Sequence, residues 1–271
     1  MEIIERIDEW RRRYGHWQQG RTRGSPRSEV GDDYPFVENT RAPFAPARRA
    51  LPMMNLALIS SAGAYINGTD SYDVNIIGGD TSFREIPREV ESEDLLYCTR
   101  GWDTSAVMQD RNSQVPIDRL AEFEGNGIIG QLNQVWWSFC GHIPDAAKLT
   151  EEMLPKLTER VKRYEVQAAL LVPASRLCHQ SIALVARGLE SQGIPTMMLG
   201  VEKDVVTLVR PPRCGYYRGE LGSVAGRPNW PEHQRRLLDE ALRLLEPMDQ
   251  PGIRQLVVEL ESEVERERGE R

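Results

Sequence analysis

The sequence predicts an α/β fold, a single domain around a mostly parallel sheet that is entered through an irregular N-terminal arm. Three observations lead there. Apolar runs at 56–59, 169–172 and 195–200 are short and bounded by turn-forming residues, as expected of strands buried on both faces. Elsewhere apolar residues recur three and four apart, the spacing of helices that bury one stripe. Over 168–193 the two patterns follow each other as strand, tight turn and helix, the rhythm of a parallel sheet. The domain is therefore expected to be Rossmann-like or flavodoxin-like, with residues 1–50 forming a helix and extended arm and 51–271 the α/β domain.

Composition narrows the function. The chain has 271 residues and a formal net charge of -7, with both signs interspersed, so it lacks the basic footprint of a nucleic-acid binder. No apolar stretch approaches the roughly 18 to 20 residues that span a bilayer, so no membrane association is expected. The N-terminal sequence has no apolar segment of the signal-peptide kind, and a cytoplasmic protein is expected. Cys98, Cys140, Cys178 and Cys214 form no CxxC pair, which suits free thiols in a reducing compartment.

In chain order, residues 2–14 read as a charged helix with Ile3, Ile4, Ile7 and Trp10 on one side. From Gln18 to Ala50 the chain is rich in Gly, Pro, Arg and Asp, with Tyr34, Phe36, Val37 and Phe44 as its anchors. It is expected to lie over the domain or a partner. Leu56 to Ile59 form a strand running into the small-residue turn 60–64, the kind of place where open α/β sheets hold ligands. Residues 72–77 read as a second strand and 78–87 as a turn dense in hydrogen-bonding groups. There Asp80, Thr81 and Arg84 are candidate substrate-binding residues, with a structural ion pair for Arg84 as the alternative. Leu95 to Cys98 is a short strand. Asp103, Asp110 and Asn112 sit in the loops that follow, as ligands for polar substrate groups or as plain turn and cap residues. Pro116 opens a helix, and the segment 135–142 carries paired tryptophans, Cys140 and His142.

A helix from Pro144 to about Tyr164 leads to the strand 169–172, the turn 173–180 and a helix with Ile182, Val185, Ala186 and Leu189 inward. That turn places Cys178 in the first turn of the helix, where partially positive N–H groups favour a thiolate. Ser175 stands at the N-cap position and His179 follows the thiol, and Cys178, His179 and Ser175 are the candidate catalytic residues, with a plain helix cap as the alternative for Ser175. Beyond lie a strand at 195–200, a strand or extended run at 204–209, an amphipathic helix at 228–246 and a charged helix at 253–267. Gly219, Gly222 and Gly226 follow no G-x-G-x-x-G pattern and no P-loop lysine, so neither a nucleotide site nor a bound cofactor is expected. A metal site from Cys98, Cys140, His142, Cys178 and His179 is the remaining alternative, and it lacks zinc-type spacing.

Five segments in order, GDTSFREIP at 79–87, DRNSQVPIDRL at 110–120, VPASRLCHQ at 172–180, PPR at 211–213 and GRPN at 226–229, carry a resemblance. They resemble the component B selenoproteins of glycine, sarcosine and betaine reductases, and the CysHisGln element brings the chain nearest to the selenoprotein subunit of D-proline reductase. The resemblance implies reductive C–N bond cleavage on a small amino-acid-derived or imine substrate, with a pyruvoyl group carried by a separate partner subunit. It also implies a selenocysteine-x-x-cysteine pattern, which falls on Ser175 to Cys178. A serine supplies neither a selenolate nor an exchangeable bond to sulfur. Cys178 is then the expected nucleophile or redox thiol. The alternatives are a diverged partner-binding subunit and a buried structural cysteine. A homo-oligomer is expected in either case.

Overall fold

The computed structural model describes residues 2–20, 30–31 and 33–258. Part of the arm expected at 18–50 and most of the helix expected at 253–267 lie outside these residues.

Helix α1 (Ile7–Gly20) is followed by strands β1 (Asn55–Ser60), β2 (Ala64–Ile66), β3 (Phe83–Pro87) and β4 (Leu95–Tyr97), then helices α2 (Ser105–Gln109) and α3 (Ile117–Gly125). Strands β5 (Gln131–Leu132) and β6 (Val135–Phe139) come next. Helix α4 (Ala146–Lys148) passes through a π turn at Leu149–Met153 into α5 (Leu154–Arg163). The rest alternates: β7 (Ala168–Val172), α6 (Arg176–Ser191), β8 (Thr196–Gly200), α7 (Lys203–Val209), β9 (Arg213–Tyr216), α8 (Pro231–Arg243) and β10 (Gly252–Gln255).

Eight strands form one sheet in the order β10-β9-β8-β7-β1-β6-β3, with β5 also on β1. All pairings in it are parallel except that of β3 with β6, while β2 and β4 form a separate antiparallel pair. Both faces are covered, which is why the strand sequences are continuous apolar runs. Ala57, Ile59, Ala169 and Leu171 pack under α1, α5, α6 and α7, and Leu56, Leu58, Leu170 and Val172 pack under α3 and α8. The helix after β1 thus lies on one face and the helix after β7 on the other. These neighbouring strands bound the crevice where an open α/β sheet holds its ligand.

The described part of the arm is sewn onto α6. Val37 N–H donates to Gln180 Oε1 (2.7 Å), Gln180 Nε2 to Tyr34 Oη (2.8 Å), and Tyr34 Oη to the Pro144 carbonyl (2.7 Å). Deeper in, Arg213 and Glu190 form a fully buried ion pair, and the Phe44 ring lies 3.9 Å from the Arg213 guanidinium carbon.

Five local expectations are corrected, one of them at the start of the helix expected over 253–267, where Gly252–Gln255 form strand β10 on β9. The N-terminal helix begins at Ile7 and runs to Gly20, later than expected. Residues 72–77 form no strand: Asp73 folds the chain back by accepting the Asn75 N–H, and Ile77 stands 79% exposed. The turn expected at 78–87 ends in β3, an edge strand on β6. The run 204–209 lies in helix α7, where Val205 and Val209, four apart, are buried together.

Candidate active site

The site is built where β1, β6 and β7 end. Beyond β7, Ser175 is extended (φ -122°, ψ 176°) and caps α6, its Oγ accepting the Cys178 N–H at 3.2 Å. The same hydroxyl lies 3.0 Å from Cys178 Sγ and donates to it, while the thiol faces the Ser61 carbonyl at 3.8 Å. Ser61, just past β1, accepts the Ala174 N–H on its own Oγ at 3.1 Å. Its carbonyl also accepts the Gly141 N–H at 3.2 Å. Gly141 is required by space, because a Cβ there would stand 2.6 Å from Cys178 Sγ and 2.5 Å from Ser61 Cβ. Ser181, one turn beyond Cys178, donates to the Gly141 carbonyl at 2.8 Å and ties α6 to the end of β6.

Two loops close over this turn. Gln114 donates to the Pro173 carbonyl (2.8 Å) and accepts from Val224 N–H (3.2 Å). Gly222 donates to the Ala174 carbonyl at 2.9 Å and takes a positive φ against Trp102 and the Asp103 carbonyl, where a side chain would collide. Under this cover Cys178 is 1% exposed.

His179 is fully buried, and both its ring nitrogens meet backbone. Nε2 accepts the Val201 N–H (3.0 Å), so the proton resides on Nδ1 and is donated to the Ser175 carbonyl (2.7 Å). Burial pushes its pKa down to about 4, so the ring is neutral near pH 7. His179 thus fastens the start of α6 to the end of β8. Arg176, beside the cap, is paired with Glu202 and Asp204.

The sequence-derived substrate residues fall into two groups, and of them Asp103 meets the cover of the thiol turn through its carbonyl, which lies against Gly222. Asp80 accepts from Ser82 N–H (2.8 Å) and Asp73 N–H (2.9 Å). Burial pushes its carboxyl up, and these bonds outweigh that and hold it below the usual range. Thr81 Oγ1 donates to Glu152 (2.9 Å). Arg84 donates to the carbonyls of Asp70 and Ser71 and covers the Tyr72 ring, so it binds backbone where an ion pair was the alternative. Asp103 is exposed and accepts both the Ser105 N–H and hydroxyl at 2.9 Å. In the second group, Asp110 accepts from Asn112, Asn229 and Gln234, and Asn112 donates to Asp118. Asp110, Asn112, Arg111 and Tyr97 line a polar cavity of about 320 Å³. Gln114 links this motif to the turn after β7.

Among the described residues no group of three or more His, Cys, Asp or Glu side chains is arranged to hold a metal ion. Cys98 donates to the Tyr72 carbonyl (3.3 Å), and Cys214 is buried in the sheet, where a Cβ at Gly200 would lie 2.7 Å from its sulfur. Ser61, Gln114, Gly141 and Gly222 carry the geometry of the turn and were not singled out as site residues by sequence. The one available signal was the small-residue turn at the end of β1, which points to Ser61.

Fold and site together define a doubly wound α/β protein with a cysteine at the switch point of its sheet. A family model described as glycine/sarcosine/betaine reductase selenoprotein B matches residues 28–174, and the chain belongs to that family. D-proline reductase subunit gamma of Acetoanaerobium sticklandii is 30% identical over 218 residues, which cover 80% of this chain and 89% of that one. Glycine reductase complex component B subunit gamma of Symbiobacterium thermophilum is 25% identical, covering 61% of this chain and 39% of its own. Sarcosine reductase complex component B subunit beta of Peptoclostridium acidaminophilum is 25% identical, covering 62% and 38%. The chain therefore spans most of the first relative and well under half of the other two. No solved structure matches. No helix among the described residues is long and apolar enough to cross a membrane.

Proposed function

We propose that this chain is the thiol-bearing subunit of a cytoplasmic amino-acid reductase, acting on a small amino-acid-derived or imine substrate through Cys178. The observation that carries this reading is the placement of Cys178 Sγ. It lies in the first turn of α6, 3.0 Å from the Ser175 hydroxyl, at the switch point of the sheet. A hydroxyl donor and the first turn of a helix both meet the sulfur there. Ser175 caps the helix and holds the sulfur, His179 positions the cap, and neither takes part in electron transfer. Asp80, Thr81, Arg84 and Asp103 on one side, with Asp110 and Asn112 on the other, are the groups proposed to orient the polar parts of the substrate. A partner subunit, with a pyruvoyl group as its electrophile, is proposed to activate the amino acid, and a homo-oligomer is the proposed state of this chain.

The test is Cys178→Ala, assayed with its partner subunit and dithiothreitol on D-proline, glycine, sarcosine and betaine, the compounds in the relatives' names. Loss of turnover with unchanged partner binding is expected. Undisturbed turnover sinks the reading. It would favour a second reading, a partner-binding subunit whose turn is kept for folding, which the 1% exposure of Cys178 and the fully bonded His179 support.

A further inference from the structure

We propose that the cavity framed by Arg41 and Arg210 is a second ligand site, one that takes a small amphipathic anion with a carboxylate or phosphate head on an apolar body. It is separate from the thiol turn. That turn lies where β7 ends, whereas Arg210 and Gly252 lie where β9 and β10 begin, and β7 to β10 all run parallel. The two sites therefore sit at opposite ends of one sheet.

The cavity has a volume of about 580 Å³, within the ~300–1,000 Å³ that small-molecule sites occupy. Ala42, Pro211, Pro251 and Ile253 give it apolar walls, and no carboxylate lines it. Arg41 and Arg210 are its charged groups. Among the described residues neither guanidinium has an ion-pair or hydrogen-bond partner, unlike Arg88, Arg160 and Arg176, which are paired with carboxylates. A third arginine holds both backbones from behind. Arg187 of α6 is fully buried, and its Nη1 donates to the Arg41 carbonyl (2.7 Å) and to the Arg210 carbonyl (2.9 Å). Its other donors go to the carbonyls of Ile3 and Glu2, so its hydrogen bonds are met without a carboxylate in contact. Burial pushes its pKa down to about 10, opposed by Glu5, whose carboxylate accepts the Thr40 N–H and hydroxyl and the Arg41 N–H. A buried cation without a contacting counter-charge favours an anion at this end of the sheet.

The backbone around the cavity is fixed before any ligand enters. Arg210 ends α7 in the left-handed region (φ 54°, ψ 69°), which a residue other than glycine keeps only where its surroundings dictate it. Pro211 and Pro212 follow with φ locked by their rings, and the Pro212 carbonyl accepts the Gly252 N–H at 2.9 Å. The PPR segment at 211–213 is thus a rigid wall, with Pro211 on the cavity and Arg213 turned inward to Glu190. Such a wall loses little freedom on binding. Two planar guanidiniums above it match a carboxylate or phosphate head, and the apolar body covers the prolines and Ile253.

The test titrates the full-length chain by calorimetry with octanoate, octyl phosphate, octanol and octylammonium. One of the two anions, or both, should bind at a single site, the tighter one identifying the head group, and octanol and octylammonium should bind at least about 10-fold more weakly. Arg41→Ala and Arg210→Gly should each weaken anion binding by about 10-fold, the scale of a lost charged hydrogen bond. Glycine suits the left-handed cap, so Arg210→Gly removes the charge and keeps the fold. The bound anion should also protect Arg41 and Arg210 from phenylglyoxal, as read by peptide mapping. Failure of both anions to bind, equal binding of octanol, or unchanged affinity in both variants overturns the proposal. Protection that rises with protein concentration in the absence of ligand also overturns it, and assigns the cavity to a second copy of the chain.

Discussion

Ser175 Oγ accepts the backbone N–H of Cys178 at 3.2 Å and lies 3.0 Å from the sulfur of the same residue. One hydroxyl thus fixes the start of a helix and the environment of its thiol, and substitution separates the two tasks. In Ser175→Ala the cap is lost, at a cost of about 1 kcal/mol. The urea midpoint should fall with an unchanged slope, and iodoacetamide should react more slowly with Cys178. An unaltered midpoint contradicts the capping role, and an unaltered alkylation rate contradicts the role toward sulfur.

In Ser175→Cys the two residues become the ends of a Cys-x-x-Cys turn at a helix N-terminus, a setting that lowers thiol pKa values and suits disulfide formation. The 3.0 Å separation of Oγ and Sγ puts the new sulfur within reach. Mild oxidation should yield a disulfide between positions 175 and 178, detected by peptide mapping. A variant that keeps both thiols alkylatable after oxidation shows that the turn cannot contract as this geometry requires.

Gly141 is expected to tolerate no side chain. Its virtual Cβ meets Ser61 Cβ at 2.5 Å and Cys178 Sγ at 2.6 Å, and neither lies at the end of a long flexible chain. Gly141→Ala should cost about 1–3 kcal/mol, as overpacking does, and displace the sulfur. The thermal midpoint and the alkylation rate of Cys178 should both change, and a variant matching the parent in both refutes the packing described.

The β7–α6 unit was legible because its signals are local. The run Ala169 to Val172, Ser175 at the cap and the spacing of Ile182, Val185, Ala186 and Leu189 are each read within a few residues. The errors came where distant contacts decide. The apolar look of 72–77 suggested a strand, but Tyr72 is spent on the carbonyls of Ala64 and Ser138 and Ile77 has nothing to cover it. The β-branched run 205–209 suggested a strand, but burial of Val205, Val206 and Val209 against the sheet selects a helix, as tertiary context overrides propensity. The packing of Gly141 on Cys178 joins residues from adjacent strand ends, and no local pattern reports it.

His179 gives the protein a defined acid sensitivity. Its folded pKa of about 4 lies below the ordinary 6.5, so folding favours the neutral ring. The associated stabilisation is complete above pH 6.5 and is lost as pH falls from there toward 4, by roughly 3 kcal/mol at 1.36 kcal/mol per unit. Below that range the low carboxyls of Asp80, Asp110 and Asp118 begin to take up protons and add to the loss. Urea unfolding from pH 7 to 4 should show a falling stability in the parent and a flatter profile in His179→Gln. Equal slopes in the two proteins would show that another group carries the dependence.

Arg213 and Glu190 are each fully buried, and Glu190 also accepts the N–H groups of Ala45 and Thr196. Arg213 in turn donates to the Ala45 carbonyl and lies over Phe44, so the pair holds the arm as well as the sheet. In Glu190→Ala the guanidinium keeps its burial and loses its counter-charge, a change that typically costs about 3–5 kcal/mol. The arm should then detach early, so limited proteolysis should cut near residues 40–50 before the domain. Replacing both partners with apolar residues removes the stranded charge and should recover much of the loss, although the contacts to Ala45 and Thr196 stay broken. A Glu190→Ala variant with parental melting and an uncut arm would mean that the remaining carbonyl and ring contacts of Arg213 suffice to hold it.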